Sequence, residues 1–201
     1  STSSRLRRPR RRCVRPESPA SAPGPPTPRM SRVFIAARIP TGMRVAVVSL
    51  YPDQRRSDGA TARTRRVAEG LAARGHDVTF LCSKWWEGPL DSFTQHDVEY
   101  TAVTESASAR AFGSKLPFAL RRAGPDVIHA TNSPPSQVTA ARTVARVLRV
   151  PVVVDWWTVR EGDTERMIRR AARIPDRVLA PSQLVRTNVR ERGARADDVT
   201  V

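Results

Sequence analysis

From Met43 onward, short apolar runs alternate with segments whose apolar residues recur every three or four positions. Met43–Leu50 (MRVAVVSL) is the unbroken apolar run of a strand covered on both faces of a parallel sheet. A polar loop, Tyr51–Gly59, leads to a predicted helix from about Ala60 to Arg74, with Val67, Ala68, Leu71 and Ala72 as its apolar stripe. Gly75 stands where a left-handed C-terminal cap is wanted, and Asp77–Cys82 reads as the next strand. Further strands are expected at Val98–Val103, Asp126–Ala130, Pro151–Asp155, Arg177–Ala180 and Val199–Val201. Helices are expected at Ser114–Ala123, interrupted by Pro117, and at Ser136–Arg149 and Gly162–Arg173. A last helix begins after the N-cap Ser182, runs through Arg192 and ends at Gly193. Strands alternating with helices predict an α/β fold, a doubly wound, mostly parallel Rossmann-like sheet with right-handed crossovers. A Rossmann-type strand order is the expectation.

Residues 1–42 break this pattern. They hold eight of the 17 prolines and ten arginines against one acid, Glu17. With so little to bury, the segment is expected to be a disordered tail, leaving one folded domain over residues 43–201. Its role stays open between a transit peptide, which its prolines disfavour, a basic binding arm, and non-native sequence upstream of Met43. The whole chain carries a formal net charge of +16, and Lys84 and Lys115 are its only lysines. That arginine excess admits a nucleic-acid reading, since clustered Arg neutralises phosphates. Cys13 and Cys82 form no metal motif or disulfide framework, which points to a reducing compartment. No apolar run reaches the roughly 20 residues of a membrane-spanning helix.

In open parallel sheets, ligands bind beyond the carboxyl ends of the strands. That rule selects the loops Tyr51–Gly59, Ser83–Gly88, Thr131–Pro135 and Trp156–Gly162. In the first, Asp58-Gly59-Ala60 opens a helix whose N–H groups and dipole could attract an anion; the plainer reading is a turn. His129 lies at a strand end beside the expected crevice, either catalytic or structural, with His76 expected at a helix C-terminus on the opposite edge and His96 at the start of a different strand. The three histidines do not make a metal site. Trp85-Trp86 and Trp156-Trp157 follow strand ends, where an indole suits a sugar ring or packs beneath a loop. Arg55-Arg56 offers an acceptor-phosphate clamp or solvated charge, and Asp155, Arg160 and Glu161 lie near the same mouth. Neither GxGxxG nor GxxxxGK[ST] occurs, so a dinucleotide fingerprint and a P-loop are unsupported.

The run MRVAVVSLYP…DGATARTRRVAEGLAARGHDVTFLC resembles the opening of family-4 glycosyltransferases of the GT-B fold. The likeness extends to GPDVIHATN (124–132), VPVVVDWW (150–157) and DRVLAPSQLVRTNVRERGARADDVTV (176–201). It implies the N-terminal, acceptor-side domain of a transferase that moves a hexose from a nucleotide-diphosphate sugar to a glycan or lipid-linked acceptor. The family's glycine loop, close to the donor diphosphate, maps onto Asp58 and Gly59. Its His-x-His maps onto His129-Ala130-Thr131, followed by Asn132; His129 fits the first position and Thr131 replaces the second. Trp156-Trp157 stands where many members carry His. The donor-binding glutamates of the family lie in a C-terminal domain, so the chain alone is expected to show no turnover. The resemblance also implies a cytoplasmic enzyme, and the basic surface agrees with peripheral contact to anionic lipid. A non-catalytic Rossmann-like small-ligand module, and less so an Arg-rich nucleic-acid binder, remain the alternatives.

Overall fold

A computed structural model describes residues 42–157 and 162–201. The expectations for the tail and Cys13, and for Arg160 and Glu161, lie outside the described residues. The strands are β1 (Arg44–Val48), β2 (Asp77–Ser83), β3 (Ser92–Gln95), β4 (Val98–Thr104), β5 (Val127–Thr131), β6 (Val152–Asp155), β7 (Arg177–Leu179) and β8 (Val199–Thr200). The helices are α1 (Gly59–Ala73), α2 (Ala109–Ala123), α3 (Pro135–Leu148), α4 (Glu165–Arg173) and α5 (Gln183–Glu191). The strands form one sheet in the order β3-β4-β2-β1-β5-β6-β7-β8, parallel throughout except for the edge strand β3. Apart from β3, this is the doubly wound order the alternation predicts.

The unbroken apolar run of β1 has a direct cause. Val45 and Val47 pack with Ala68 and Ala72 of α1, whereas Ala46 and Val48 pack with α2, α3 and the neighbouring strands. Both faces of β1 are therefore covered, and no polar alternation survives. The larger cluster, on the α2–α4 side, holds Phe112, Leu116 and Leu120 of α2, Val138 and Ala141 of α3, and Ile168 and Ala171 of α4.

Two expectations need correction. Helix α2 begins at Ala109, five residues before Ser114, and runs through Pro117. Ser108 caps it, its Oγ accepting from the Ala111 N–H at 3.3 Å. Proline removes one helical hydrogen bond, but Phe112, Leu116 and Leu120, four residues apart on one buried stripe, hold the helix together across it. The second correction is the strand β3. His96 does not begin a strand; with Asp97 it forms a two-residue turn between β3 and β4, at φ 51° and 59°. Such a turn needs left-handed backbone at both central positions, usually supplied by Asn-Gly, and His-Asp does not advertise it.

Candidate functional site

Chain order reverses between β1 and β5. The connection after β1 leads to α1 on one face, and the connection after β5 leads to α3 on the other. The loops diverge there and leave a crevice at the strands' carboxyl ends, the topological switch point of a doubly wound sheet. A pocket with about 480 Å³ of empty space, part of it open to solvent, occupies that position. Ser49, Tyr51, Arg56 and Asp58 line it from the β1 side, Thr131, Asn132 and Ser133 from β5, and Asp155 and Trp157 from β6.

Asp58 is the N-cap of α1. Its Oδ1 accepts from the Thr61 N–H at 2.9 Å, while Thr61 Oγ1 accepts from the Asp58 N–H at 3.0 Å, a reciprocal capping box. Burial disfavours the Asp58 carboxylate, but the hydrogen bonds from Thr61 and the Arg56 charge outweigh it and hold the carboxyl below its ordinary pKa. Arg56 Nε lies 2.8 Å from Asp58 Oδ2. The helix N-terminus is thus already occupied by an anion of the chain itself.

Gly59 follows, and the reason for a glycine is visible. A Cβ there would sit 3.2 Å from Cζ2 of Trp157. The indole lies directly against the first turn of α1 and lines the pocket, while its neighbour Trp156 is buried in the core. Trp157 is fixed by its own backbone, whose N–H donates to Asn132 Oδ1 at 3.1 Å. Asn132 in turn donates its N–H to the Asp155 carbonyl at 3.2 Å.

One lining group is a buried charge. Asp155 is 3% exposed, and Arg63 of α1 reaches across from 92 residues away to place Nε 3.2 and 2.9 Å from its two carboxylate oxygens. His129 sits two residues before Thr131 on β5, opposite Val47 of β1 and Val153 of β6. It is buried below the pocket and does not line it. Its Nε2 has no hydrogen-bond partner among the described residues. Burial pushes the imidazole pKa down, the Asp155 charge pulls partly back, and Arg63 adds to the lowering. The ring is therefore neutral at pH 7.

The structure thus gathers Asp58, Gly59, Thr131 and Asn132 at one crevice, with His129 a layer beneath. It separates the others. Trp85 and Trp86 pack edge-on with Phe93 and Tyr100 at the β2–β4 side. Arg55 donates to the Lys84 and Glu105 carbonyls and braces the loop. His76 Nδ1 accepts from the Met43 N–H at the opposite end of β1. Among the described residues no three His, Cys, Asp or Glu side chains gather as metal ligands.

Two contributors had no sequence signal that could find them. Arg63 pairs with Asp155 only through the fold. Gln137 of α3 is fully buried and joins two walls of the pocket: its Oε1 accepts from the Leu50 N–H at 3.1 Å. Its Nε2 donates to Thr131 O at 2.8 Å, Thr131 Oγ1 at 2.6 Å and Ser133 O at 2.9 Å.

With that geometry in place, comparison with known proteins gives a family. The profile of the glycosyl transferase 4-like domain matches residues 58–201. The chain belongs to that family. No curated protein matches it. Among solved structures, this glycosyl transferase 4-like domain is similar to sucrose-phosphate synthase from Thermosynechococcus elongatus, with a TM-score of 0.63 and 13% identity over 78% of this chain and 46% of that one. It is also similar to Anabaena HepE, solved in complex with UDP-glucose, with a TM-score of 0.56 and 18% identity over 79% and 43% of the two chains. A third is UDP-N-acetylglucosamine 2-epimerase from Rickettsia bellii, with a TM-score of 0.52 and 12% identity over 78% and 44%. At such identities the likeness establishes the fold alone. The chain spans less than half the length of each of these structures, so the glycosyl transferase 4-like domain corresponds to one half of a GT-B architecture.

Proposed function

We propose that this chain is the acceptor-side half of a nucleotide-sugar-dependent glycosyltransferase, moving a hexose onto a glycan or lipid-linked acceptor. The observation that carries the reading is the pocket at the switch point, in a chain of the glycosyl transferase 4-like family. Its charged groups come as internal pairs, Arg56 with Asp58 and Arg63 with Asp155. Between them stand hydroxyl and amide groups of Ser49, Thr131 and Asn132, and one indole face, Trp157. A site that is electrically balanced, rich in donors and acceptors and walled by an aromatic ring suits a neutral polyol better than a free phosphate. Asp58 strengthens this choice, because its carboxylate already fills the anion position at the start of α1.

In this reading Asp58, Gly59, Thr131 and Asn132 shape the acceptor pocket beside the donor diphosphate. His129 supports Thr131 from below as a neutral ring, and a second domain clamps the nucleotide sugar. HepE was crystallised with UDP-glucose, which supports a sugar nucleotide as the donor class here.

The test is a titration of the ¹⁵N-labelled chain with methyl α-D-glucopyranoside, with inorganic pyrophosphate in parallel. Amides of residues 58–61 and 131–133 and the Trp157 indole N–H should shift with the glycoside. Shifts confined to other residues, or shifts there only with pyrophosphate, would reject the acceptor assignment. In a coupled UDP-release assay with UDP-glucose, residues 1–201 alone should stay at background; turnover would show that no second domain is needed.

A further inference from the structure

The outer surface of the α2–α3–α4 layer differs from that of α1 on the opposite face of the sheet. These helices lie side by side over one face of the sheet, and their buried stripes join the larger core. What points away from the sheet is both basic and apolar. α2 carries Arg110, Lys115, Arg121 and Arg122 and no acid, and α3 also has none. α4 has four arginines against Glu165. Among the described residues, Arg142 pairs with Asp176 and Arg169 with Glu165, while the remaining cations of the three helices make no ion pair.

Set among these charges are large apolar side chains turned to solvent. Phe118 of α2 is 76% exposed, Val147 of α3 63% and Met167 of α4 41%. A groove runs between the three helices, lined among others by Gly113, Pro117, Ala140, Met167, Arg110 and Arg170. Helix α1, on the opposite face, exposes no large apolar residue, and two of its three arginines, Arg63 and Arg65, are ion-paired, leaving Arg66.

We propose that the α2–α3–α4 face docks on an anionic lipid bilayer, with Phe118, Val147 and Met167 entering the headgroup boundary and the unpaired arginines facing lipid phosphates. Exposed aromatic and aliphatic side chains among unneutralised cations are the signature of an interfacial surface. The charge complementarity selects an anionic partner. The apolar side chains select a bilayer over a nucleic acid, whose backbone offers them nothing to enter. A second copy of this chain is disfavoured, since both partners would carry the same net +16. The inference stands apart from the acceptor pocket, which lies at the strands' carboxyl ends.

The test is co-sedimentation of the full chain with phosphatidylcholine vesicles containing or lacking 30% phosphatidylglycerol, at low and physiological salt. Three variants report on the surface: Phe118→Ser, the pair Arg166→Glu with Arg170→Glu, and a control pair of equal net charge on the α1 side, Arg66→Glu with Arg74→Glu. All five positions are exposed, and circular dichroism verifies that the variants stay folded. The wild type should sediment with anionic vesicles only. Arg166→Glu/Arg170→Glu should weaken partitioning at least about tenfold, Phe118→Ser should weaken it severalfold, and the control should change it far less.

Four results would overturn the proposal: no binding to anionic vesicles, equal binding to neutral ones, equal losses for both charge pairs, or unchanged binding by all three variants. The last two would assign the attraction to overall charge or to residues 1–42. Binding of duplex DNA lost in the same variants, without vesicle binding, would transfer the surface to nucleic acid. Pocket titration with the glycoside reads out independently, so failure of one proposal leaves the other standing.

Discussion

On one face of the sheet a single helix, α1, covers β1, β2 and β4; on the other, α2, α3 and α4 lie abreast over a larger apolar cluster. The α1 side carries buried or half-buried polar groups at the crevice: Thr61, Thr64, Asp155 and His129, with Arg63 reaching in. The α2–α4 side buries Gln137 and turns most of its arginines outward. The contrast separates two tasks. Apolar burial on one side supplies most of the fold's stability, and the polar side holds the groups that shape the pocket, where each buried charge must be matched.

Substitutions on the two sides should therefore differ in kind. The largest effect is expected from Phe112→Ala, which empties a fully buried aromatic site in the apolar layer. Urea unfolding should show a loss of about 3–5 kcal/mol, with the pocket amides unshifted in the folded protein. A loss below about 1 kcal/mol would break the division of labour.

On the polar side, Arg63→Ala strands the Asp155 carboxylate. Because the Arg63 side chain is 37% exposed, solvent screening reduces the loss to about 1–2 kcal/mol. Adding Asp155→Asn should recover part of it, and a double-mutant cycle measures the coupling. If the two losses simply add, the pair does not hold the crevice floor.

His129 predicts a pH dependence with a definite sign. Burial lowers its folded pKa, so between that value and the ordinary value near 6.5 the unfolded chain binds more protons. The neutral ring's contribution is complete above about pH 6.5 and is lost as pH falls toward the folded pKa, at up to about 1.4 kcal/mol per pH unit. Thermal unfolding from pH 7 to 5 should show the decline, and His129→Gln should flatten it. An identical slope in the variant would place the titration elsewhere.

The smallest effect is expected at Gly59. Gly59→Ala puts a methyl 3.2 Å from the Trp157 ring, asking the indole to move by a few tenths of an ångström. Stability should change by under about 1 kcal/mol, since alanine also favours the helix. Trp fluorescence and glycoside binding should respond more clearly than the unfolding midpoint.

The sheet was legible because covered strands leave unbroken apolar runs, as in Val45–Val48 and Val152–Val154. The start of α1 was legible too, from Asp58 and Gly59. What escaped was set by long-range packing or by uncommon turn chemistry. His96 and Asp97 adopt left-handed backbone without the Gly or Asn that announces it. Pro117 suggested a break that three buried residues override. At the crevice, the four residues named from the sequence meet as neighbours. The depth of His129 depends on what α1 places over β5, and the Arg63–Asp155 pair on a crossing no local pattern records.

Gln137 has a mechanical consequence. One carboxamide clasps the backbone leaving β1 and the turn leaving β5, so neither wall can swing without dragging its counterpart. The aperture is set by the architecture before any guest arrives, and an incoming molecule meets a seat with little left to freeze.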